Sequence, residues 1–282
     1  MSTPRSLVLP PGVEAVALET SRGRFAAHTI RTDGAIAHVL LIPGWTGSKE
    51  DFTAFLPLLA AKGFDATTYD QRGQYETSGA PDDDYSLGGF AADALAVSAT
   101  ATGSARSHVL GHSFGGLVAQ QAAVSDPSAW RSLSLLCTGP GALGETPGRP
   151  PLTPLVQAIG VMTLAEIRAA LPSDPSLPPD IAEFLDKRFT SNAPASLKAI
   201  TQLLIDAPDI IDEVADTGLP FWVGRGAGDD AWPHDTQAAM AKRLDTEVHI
   251  IQGAAHSPAV ENPQAMLDAW LPFLHQHSQE GP

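Results

Sequence analysis

The order of apolar and polar positions predicts eight short β-strands separated by helices. Runs of apolar or alternating residues that are typical of strands occupy residues 16–20, 25–31, 38–42, 64–69, 107–111, 132–137, 220–223 and 247–251. The first two runs flank residues 21–24, where a glycine predicts the turn of an antiparallel hairpin. Between the later runs, apolar residues at spacings of three and four predict helices. This alternation favours an α/β protein with a mostly parallel eight-stranded sheet covered by helices on both faces.

The helix after the third strand has recognisable ends. It carries apolar residues from Phe52 to Ala60, with Ser48 and Asp51 as candidates for its N-terminal cap and Gly63 ending it. The other helices of the regular alternation are predicted at residues 86–102, 114–124, 234–244 and 262–275.

The alternation breaks between residues 139 and 218, where prolines cluster and no strand pattern occurs. Helical patterns lie there around residues 154–171, 179–189, 194–205 and 209–214. We therefore divide the chain into a core of residues 1–138 and 219–282 and an inserted helical segment of residues 139–218. Two interpretations stay open at this point: a decorative insertion, or a lid over a functional site if a site lies beneath it.

Composition and charge narrow the class of partner. The chain has 282 residues, enough for one or two domains with a sizeable core. Its formal net charge is −15, and no Lys/Arg-rich stretch occurs anywhere. Because nucleic acids and anionic membranes are bound by positive surfaces, neither is expected as a partner, and a small-molecule substrate is favoured. A homo-oligomer stays open.

Cysteine usage and missing motifs bear on compartment and cofactor. With Cys137 alone, the chain cannot form an internal disulfide or a four-thiolate metal site. The N-terminus lacks the apolar region of a signal peptide, and no apolar run is long enough for a membrane span. We therefore expect a soluble, cytoplasmic protein. No metal or nucleotide motif is present, so we predict neither a metal nor a cofactor.

Residues 111–115 read Gly-His-Ser-Phe-Gly, directly after an apolar strand and directly before a helix. A sharp strand-to-helix turn exposes its central side chain at the carboxyl edge of the sheet, and small flanking residues avoid clashes there. It also points the N–H groups at the helix N-terminus toward negative charge that develops beside Ser113. A serine hydroxyl is a weak nucleophile at neutral pH, so a base and a group that orients the base are required.

Nine histidines compete for the role of base, and the loop after the last strand favours one of them. His256 lies among small residues at the sheet edge that also carries Ser113. His112 adjoins Ser113, but neighbours at a sharp turn point in different directions. For the orienting acid, the glycine-rich loop after the seventh strand supplies Asp229 and Asp230. Either acid completes the chain order Ser, Asp, His.

The chain resembles the α/β-hydrolase superfamily from about residue 14 to residue 275. Four segments carry the resemblance: residues 42–45 (Ile-Pro-Gly-Trp), 111–116 (Gly-His-Ser-Phe-Gly-Gly), 226–229 (Gly-Ala-Gly-Asp) and 253–256 (Gly-Ala-Ala-His). The resemblance implies an α/β-hydrolase fold with a helical lid inserted after strand six. It also implies Ser113 as nucleophile, His256 as base and Asp229 as acid, because Asp229 stands four residues before Pro233. Asp230 remains the alternative acid.

The resemblance further implies an oxyanion hole made by the backbone N–H groups of Trp45 and Phe114. Gly44, Trp45, Phe114 and Trp232 are the candidate substrate-binding residues. Two departures from the family pattern stand out. Pro43 replaces the usual His before the glycine, and residues 70–75 (Asp-Gln-Arg-Gly-Gln-Tyr) depart from the usual Asp-x-Arg-Gly-x-Gly.

The sequence thus favours a serine hydrolase that cleaves a carboxylic ester, or a similarly activated acyl bond, of a small and largely apolar substrate. A C–C bond hydrolase, a thioesterase, a lactonase or a cofactor-free perhydrolase could use the same three residues. A non-catalytic ligand receptor on the same fold is a further alternative.

Overall fold

A computed structural model describes residues 2–144 and 151–279, and its strands form a single sheet. The strands are β1 (Val13–Thr20), β2 (Gly23–Ile30), β3 (Ala37–Ile42), β4 (Phe64–Tyr69), β5 (Ser107–His112), β6 (Trp130–Leu136), β7 (Phe221–Gly226) and β8 (Val248–Ile251). Their order across the sheet is β1-β2-β4-β3-β5-β6-β7-β8. The β1–β2 and β2–β4 pairs are antiparallel and the other five are parallel. The predicted fold class is confirmed.

Helices cover both faces of this sheet. They are α1 (Glu50–Thr53), α2 (Leu56–Ala60), α3 (Leu87–Thr102), α4 (Phe114–Ser125), α5 (Thr153–Ala158), α6 (Leu164–Ala170), α7 (Pro179–Thr190), α8 (Pro194–Asp206), α9 (Ile211–Asp216), α10 (His234–Arg243), α11 (Pro258–Glu261) and α12 (Pro263–Ser278). No helix in the described ranges is both long and apolar enough to cross a lipid bilayer.

The strand β3 shows how the sheet divides the core. Leu40 and Ile42 pack with residues of α3 and α4, whereas Val39 and Leu41 pack with residues of α2 and α12. Because successive side chains of a strand point to opposite faces, a continuous apolar run supplies both layers. The strand is therefore held on both sides, and its carboxyl end carries the loop toward Trp45.

Two of the predicted helices are each divided in the structure. The segment after β3 forms α1 and α2, because Pro57 has no N–H to continue the helical hydrogen bonds across the junction. Ser48 does not cap it through its side chain. The helix begins after Lys49 without a side-chain cap, and Asp51 instead accepts a hydrogen bond from the Ser48 N–H at 3.3 Å. The segment 154–171 forms α5 and α6, separated at Gly160, whose φ is 95°.

Helices α5 to α9 are inserted between β6 and β7, where the strand pattern breaks. Of the predicted segment, residues 145–150 lie outside the described residues. Ile200 and Leu204 of α8 pack in the same cluster as α3 and α4. A separate cluster, which includes Leu197 and Phe189, packs against Trp45. The insertion is thus joined to the core beside the loop that follows β3.

Candidate active site

Ser113 lies at the junction of β5 and α4 in a strained backbone conformation, with φ 56° and ψ −122°. Such conformations cost about 1–3 kcal/mol and persist only where the surroundings enforce them. A Cβ atom at Gly111 would lie 2.1 Å from the Gly115 carbonyl oxygen, and one at Gly115 would lie 2.3 Å from that of Ile42. Only glycine fits at these two positions, as the turn requires.

Asp229 and His256 are joined by a hydrogen bond at the carboxyl ends of β7 and β8. His256 Nδ1 donates to Asp229 Oδ1 at 2.8 Å. Gln237 Nε2 donates to the other carboxylate oxygen at 2.9 Å, and the Ala231 N–H donates to Oδ1 at 3.1 Å. Burial opposes ionisation of Asp229, but the hydrogen bonds from His256, Gln237 and Ala231 outweigh it and lower the pKa of Asp229. The acid is thus held as a carboxylate facing the imidazole.

Asp230, the alternative acid, occupies a different environment. Asp229 is 2% exposed and bonded to His256, whereas Asp230 is exposed and lies on the wall of the adjoining cavity. Of the two acids, the structure brings Asp229 to the imidazole.

The loop that carries His256 is held from two sides. The Glu261 carboxylate accepts hydrogen bonds from the backbone N–H groups of Ala255 and Ser257. His112 Nε2 donates to the His256 carbonyl oxygen at 2.6 Å, which requires the proton on Nε2. Burial, reinforced by the nearby His256, lowers the pKa of His112 to about 3, so that this ring is neutral. His112 therefore acts on the backbone of the loop that carries His256.

Ser113 and His256 line one cavity of about 440 Å³. No hydrogen bond joins their side chains within the described part of the chain. The apolar side chains that line the cavity come from the β3 loop, the insertion and the β7 loop: Trp45, Leu143, Pro151, Leu152, Leu155, Leu171, Leu204 and Ala231. Its polar lining comprises, besides Ser113 and His256, Ser2, Asp51, His112 and Asp230. The cavity walls are thus mainly apolar, with the polar groups gathered around Ser113.

The loop after β3 brings Gly44, the neighbour of the predicted oxyanion donor Trp45, next to Ser113. A Cβ atom at Gly44 would lie 3.0 Å from Ser113 Cβ, so glycine permits this close approach. The Gly47 N–H closes a turn onto the Gly44 carbonyl at 3.0 Å, and Thr46 adopts a φ of 53° within it. Among the residues that the structure describes, the backbone N–H groups of Trp45 and Phe114 donate no hydrogen bond. Both groups are therefore unsatisfied by protein acceptors.

The structure shows which contacts are made at the two departures from the family pattern. The Gln71 side chain donates to the Pro43 carbonyl at 2.9 Å, so that the turn after β4 holds the loop after β3. Tyr75, where the family pattern ends in glycine, adopts a φ of 47°. Its ring lies 4.7 Å from the Lys49 ammonium and packs edge-on against Phe184 of α7. The strained tyrosine thereby links the core to the insertion.

The predicted wall residues lie in different places. Trp45 lines the cavity, and its Nε1 donates to Thr201 Oγ1 at 3.1 Å. The Phe114 ring is fully buried and packs edge-on against Phe90. Trp232 is 1% exposed and donates to the carbonyl oxygens of residues 141 and 142 at 3.1 Å. These last two side chains belong to the buried core, and neither is among the described residues that line the cavity.

Three residues that contribute to the site had no signal in the sequence: Arg188, Ser2 and Gln237. Arg188 of α7 is 1% exposed and donates to Asp51 at 2.7 Å and to the Ser2 carbonyl at 2.6 Å. Gln237 of α10 bonds Asp229, as described above. None of the three lies in a motif, and each meets partners far away in the sequence, so only the fold brings them together.

One set of side chains has donor atoms close enough for a metal ion. The ligand atoms of His112, Cys137 and His256 lie within 4.8 Å of one another. His112 Nε2 and His256 Nδ1 are engaged as described, and Cys137 Sγ donates to the Ala255 carbonyl at 3.7 Å. Burial raises the pKa of the Cys137 thiol, which disfavours the thiolate that binds metals. The arrangement therefore suits hydrogen bonding better than metal binding.

Comparisons with known proteins agree with this architecture. Residues 39–269 match the Alpha/beta hydrolase family. A Variovorax paradoxus (strain S110) protein that carries the name of a carbamate hydrolase, RutD, is 36% identical over 98 residues, which are 35% of this chain and 36% of that protein. The match thus spans about a third of that relative.

Solved structures give a similar result for the fold. A structure reported with carboxylesterases of the thaumarchaeon Nitrososphaera gargenis superposes with a TM-score of 0.75 at 17% identity, covering 94% of this chain and 99% of that one. A thermophilic esterase from Thermogutta terrifontis gives a TM-score of 0.72 at 21% identity, covering 94% of this chain and all (100%) of that one. At these identities the likeness concerns the fold alone.

Proposed function

Because the chain belongs to the alpha/beta hydrolase family, we propose that it is a serine hydrolase that cleaves carboxylic esters or similarly activated acyl bonds through an acyl-enzyme. One observation carries the proposal: the strained Ser113 turn and the bonded Asp229–His256 pair face the same apolar cavity. A nucleophile, a base and an oriented acid around one cavity are the parts that acyl transfer requires.

The proposed reaction has two steps. Ser113 Oγ attacks the acyl carbon while His256 Nε2 takes its proton, and the same proton then goes to the departing alcohol oxygen. Water next attacks the acyl-enzyme and gives a proton to His256, which passes it to Ser113 Oγ as the acyl–oxygen bond breaks and the acid leaves. Asp229 orients the imidazole and stabilises its charged form. The N–H groups of Trp45 and Phe114 stabilise the oxyanion in both steps.

The Ser113–His256 hydrogen bond is part of the proposal. The two side chains face one cavity, and no hydrogen bond joins them in the part of the chain that the structure describes. Catalytic hydrogen bonds are often long in enzymes without substrate and shorten when substrate binds. We therefore expect the bond to form in the substrate complex.

The insertion, residues 139–218, is proposed to act as a lid over this site. Five of its leucines, at positions 143, 152, 155, 171 and 204, line the cavity. A roof of this kind excludes water and supplies an apolar surface for the substrate. The core of residues 1–138 and 219–282 then provides the catalytic groups, and the lid contributes to substrate selection.

The cavity favours a small, neutral and largely apolar substrate. Its described lining contains two carboxylates, Asp51 and Asp230, and no Lys or Arg side chain. A substrate carboxylate would therefore meet the like charge of Asp230 there, with no Lys or Arg side chain in the described lining to pair with it. Esters of unbranched aliphatic acids combine the expected apolar group with an activated acyl carbon.

The experiment uses a fluorophosphonate probe and p-nitrophenyl esters. The probe is expected to label the wild-type protein, and Ser113→Ala is expected to lose both labelling and ester turnover. Ser125→Ala, at the exposed end of α4, serves as the matched control and should keep both. Undiminished turnover in Ser113→Ala, with intact folding, would contradict the proposal.

Carbamate hydrolysis is the second candidate, favoured by the partial match to the relative named above. The same residues would attack a carbamate carbonyl. A panel of carbamates, thioesters, lactones and diketones beside the esters separates these reactions by kcat/KM. A ligand receptor instead predicts tight binding to Ser113→Ala and negligible turnover by the wild type.

A further inference from the structure

Ser2, in the N-terminal segment of residues 2–5, forms part of the wall of the substrate cavity. Ser2 is 9% exposed and lines the same cavity as Ser113 and His256. Pro4 is also buried, whereas Arg5 lies at the surface. The segment therefore lies against the site itself and not merely on the outside of the core.

Hydrogen bonds of Ser2 and Arg5 hold the segment, and they lead to different parts of the fold. Ser2 Oγ and Ser257 Oγ share a hydrogen bond of 2.8 Å beside His256. Arg188 of α7 donates to the Ser2 carbonyl at 2.6 Å. Arg5 donates to the Glu261 carbonyl at 2.7 Å. The segment thus connects the insertion with the loop that carries the proposed base.

The hydrogen bond from Arg188 to the Ser2 carbonyl stabilises this connection. Arg188 and Asp51 are 1% and 4% exposed, and their ion pair spans 2.7 Å between α7 and α1. Buried charges are tolerated only where enough partners replace water. The Ser2 carbonyl is the third acceptor of the guanidinium, beside Asp51 and the Ser48 hydroxyl, and it holds the backbone of residue 2 in place.

Ser2 also separates two cavities. A second cavity of about 10 Å³ lies toward α11 and is lined by Phe52, Leu136 and residues 257–260. Ser2, Asp51 and His112 line both cavities, so these three residues form the partition between them. Arg188 holds Asp51, and the hydrogen bond to the His256 carbonyl holds His112. The size of residue 2 is therefore the feature that sets this end of the larger cavity.

We propose that the N-terminal segment is a specificity-determining wall, in which the small side chain of Ser2 sets the length of the apolar group that the site accepts. This inference rests on the proposed ester hydrolysis. A larger side chain at position 2 takes up space at the partition between the two cavities, at the end of the larger cavity that Ser2 lines. It should exclude the longest substrates that the wild type accepts and spare the shortest.

The test measures kcat/KM for two ester series. In the first, p-nitrophenyl esters vary in acyl chain from two to twelve carbons. In the second, butyrate esters vary in alcohol chain. For Ser2→Leu, we expect the longest good substrate of one series to lose about tenfold or more relative to the shortest, because overpacking costs about 1–3 kcal/mol. Ser6→Leu makes the same change at an exposed position of the chain and should keep the wild-type profile.

Ser2→Ala and Ser2→Val keep the proposal testable if Ser2→Leu does not fold. Alanine removes the bond to Ser257 without adding volume, so its length profile should match the wild type, whereas valine should shift it toward shorter chains. Binding of 1-hexanol and 1-decanol, measured by calorimetry, provides a readout that needs no turnover, and Ser2→Val should weaken the longer alcohol more.

The two possible failures are distinguishable. If the wild type shows Ser113-dependent turnover and all Ser2 variants share its profile in both series and with both alcohols, the wall inference is wrong. If turnover does not depend on Ser113, the proposed function fails, and alcohol binding alone then decides the role of Ser2.

Discussion

At the scale of single residues, adjacent acids in the β7 loop have different surroundings. Asp229 is buried and receives hydrogen bonds from His256, Gln237 and the Ala231 N–H, whereas Asp230 is exposed. A carboxylate with several donors orients a base well, because its own position is held on all sides. The type of residue is the same at both positions, and only the contacts separate them.

Replacement of each acid by its amide tests this assignment. Asp229→Asn is expected to lower kcat for p-nitrophenyl esters by about 10³–10⁴-fold, since the amide favours the wrong tautomer of the imidazole. Asp230→Asn is expected to lose far less, because His256 Nδ1 is bonded to Asp229. Steady-state kinetics on folded variants provide the measurement. A larger loss for Asp230→Asn than for Asp229→Asn would reverse the assignment of the acid.

Motif and environment explain which residues the sequence could predict. Ser113, Asp229 and His256 follow the carboxyl ends of β5, β7 and β8 in recognisable local patterns, so the fold alone brings them to one edge. Arg188 and Ser2 bond each other across 186 positions of the chain and belong to no pattern. Contacts of that kind depend on how the insertion docks, which periodicity does not encode.

At the scale of elements, the loop after β3 depends on a neighbouring turn for its position. Gln71 donates to the Pro43 carbonyl, and Lys49 donates through its backbone and its ammonium to the Asp70 carboxylate at 2.7 and 2.9 Å. These contacts lie at both ends of the segment that carries Trp45. The turn after β4 thus holds the loop that supplies a proposed oxyanion donor.

Gln71→Leu tests the role of this turn. The change leaves the Pro43 carbonyl without its donor, which costs about 1–3 kcal/mol where the group is buried. We expect kcat to fall by about tenfold or more with a smaller change in KM, because the oxyanion donor shifts while the cavity walls stay. Gln264→Leu, on the exposed side of α12, is the matched control. A rise in KM at unchanged kcat would point to a binding role instead.

The elements themselves were predicted unequally. All eight strands are present near their predicted positions, because apolar runs between turn residues mark buried strands well. The helices of residues 48–60 and 154–171 are divided at places where apolar spacing continues. Pro57 and Gly160 interrupt the backbone there, and side-chain periodicity does not report backbone dihedral angles.

At the scale of the whole molecule, the buried histidines make the free energy of unfolding depend on pH. Burial lowers the pKa of His28 and His38 to about 4 and that of His108 and His112 to about 3. Their ring nitrogens are held in hydrogen bonds, such as those of His38 with Ser107 and Thr67. Between about pH 6.5 and 4, the unfolded chain therefore binds protons on four side chains that the folded protein keeps neutral.

Two buried acids act in the opposite direction. Burial raises the pKa of Asp70 to about 7 and also raises that of Asp51, despite the opposing cations Lys49 and Arg188. The folded protein therefore binds protons on these carboxyls at higher pH than the unfolded chain does. Since the four histidines outnumber the two acids, the unfolded chain still binds more protons than the folded protein below pH 6.5. Acidification should accordingly destabilise the fold.

The expected slope follows from this difference in bound protons. Each proton of net difference contributes about 1.4 kcal/mol per pH unit, and the difference grows below pH 6.5 as the histidines of the unfolded chain become protonated. Denaturant unfolding at pH 7.5, 6.5 and 5.5 should show a free energy of unfolding that is nearly constant above pH 7 and falls steeply below 6.5. His38→Gln removes one of the four groups and should reduce the slope by about 1.4 kcal/mol per pH unit, whatever its effect on stability at pH 7.5. A wild-type free energy of unfolding that stays level or rises between pH 6.5 and 5.5 would show that these histidines do not govern the acid response.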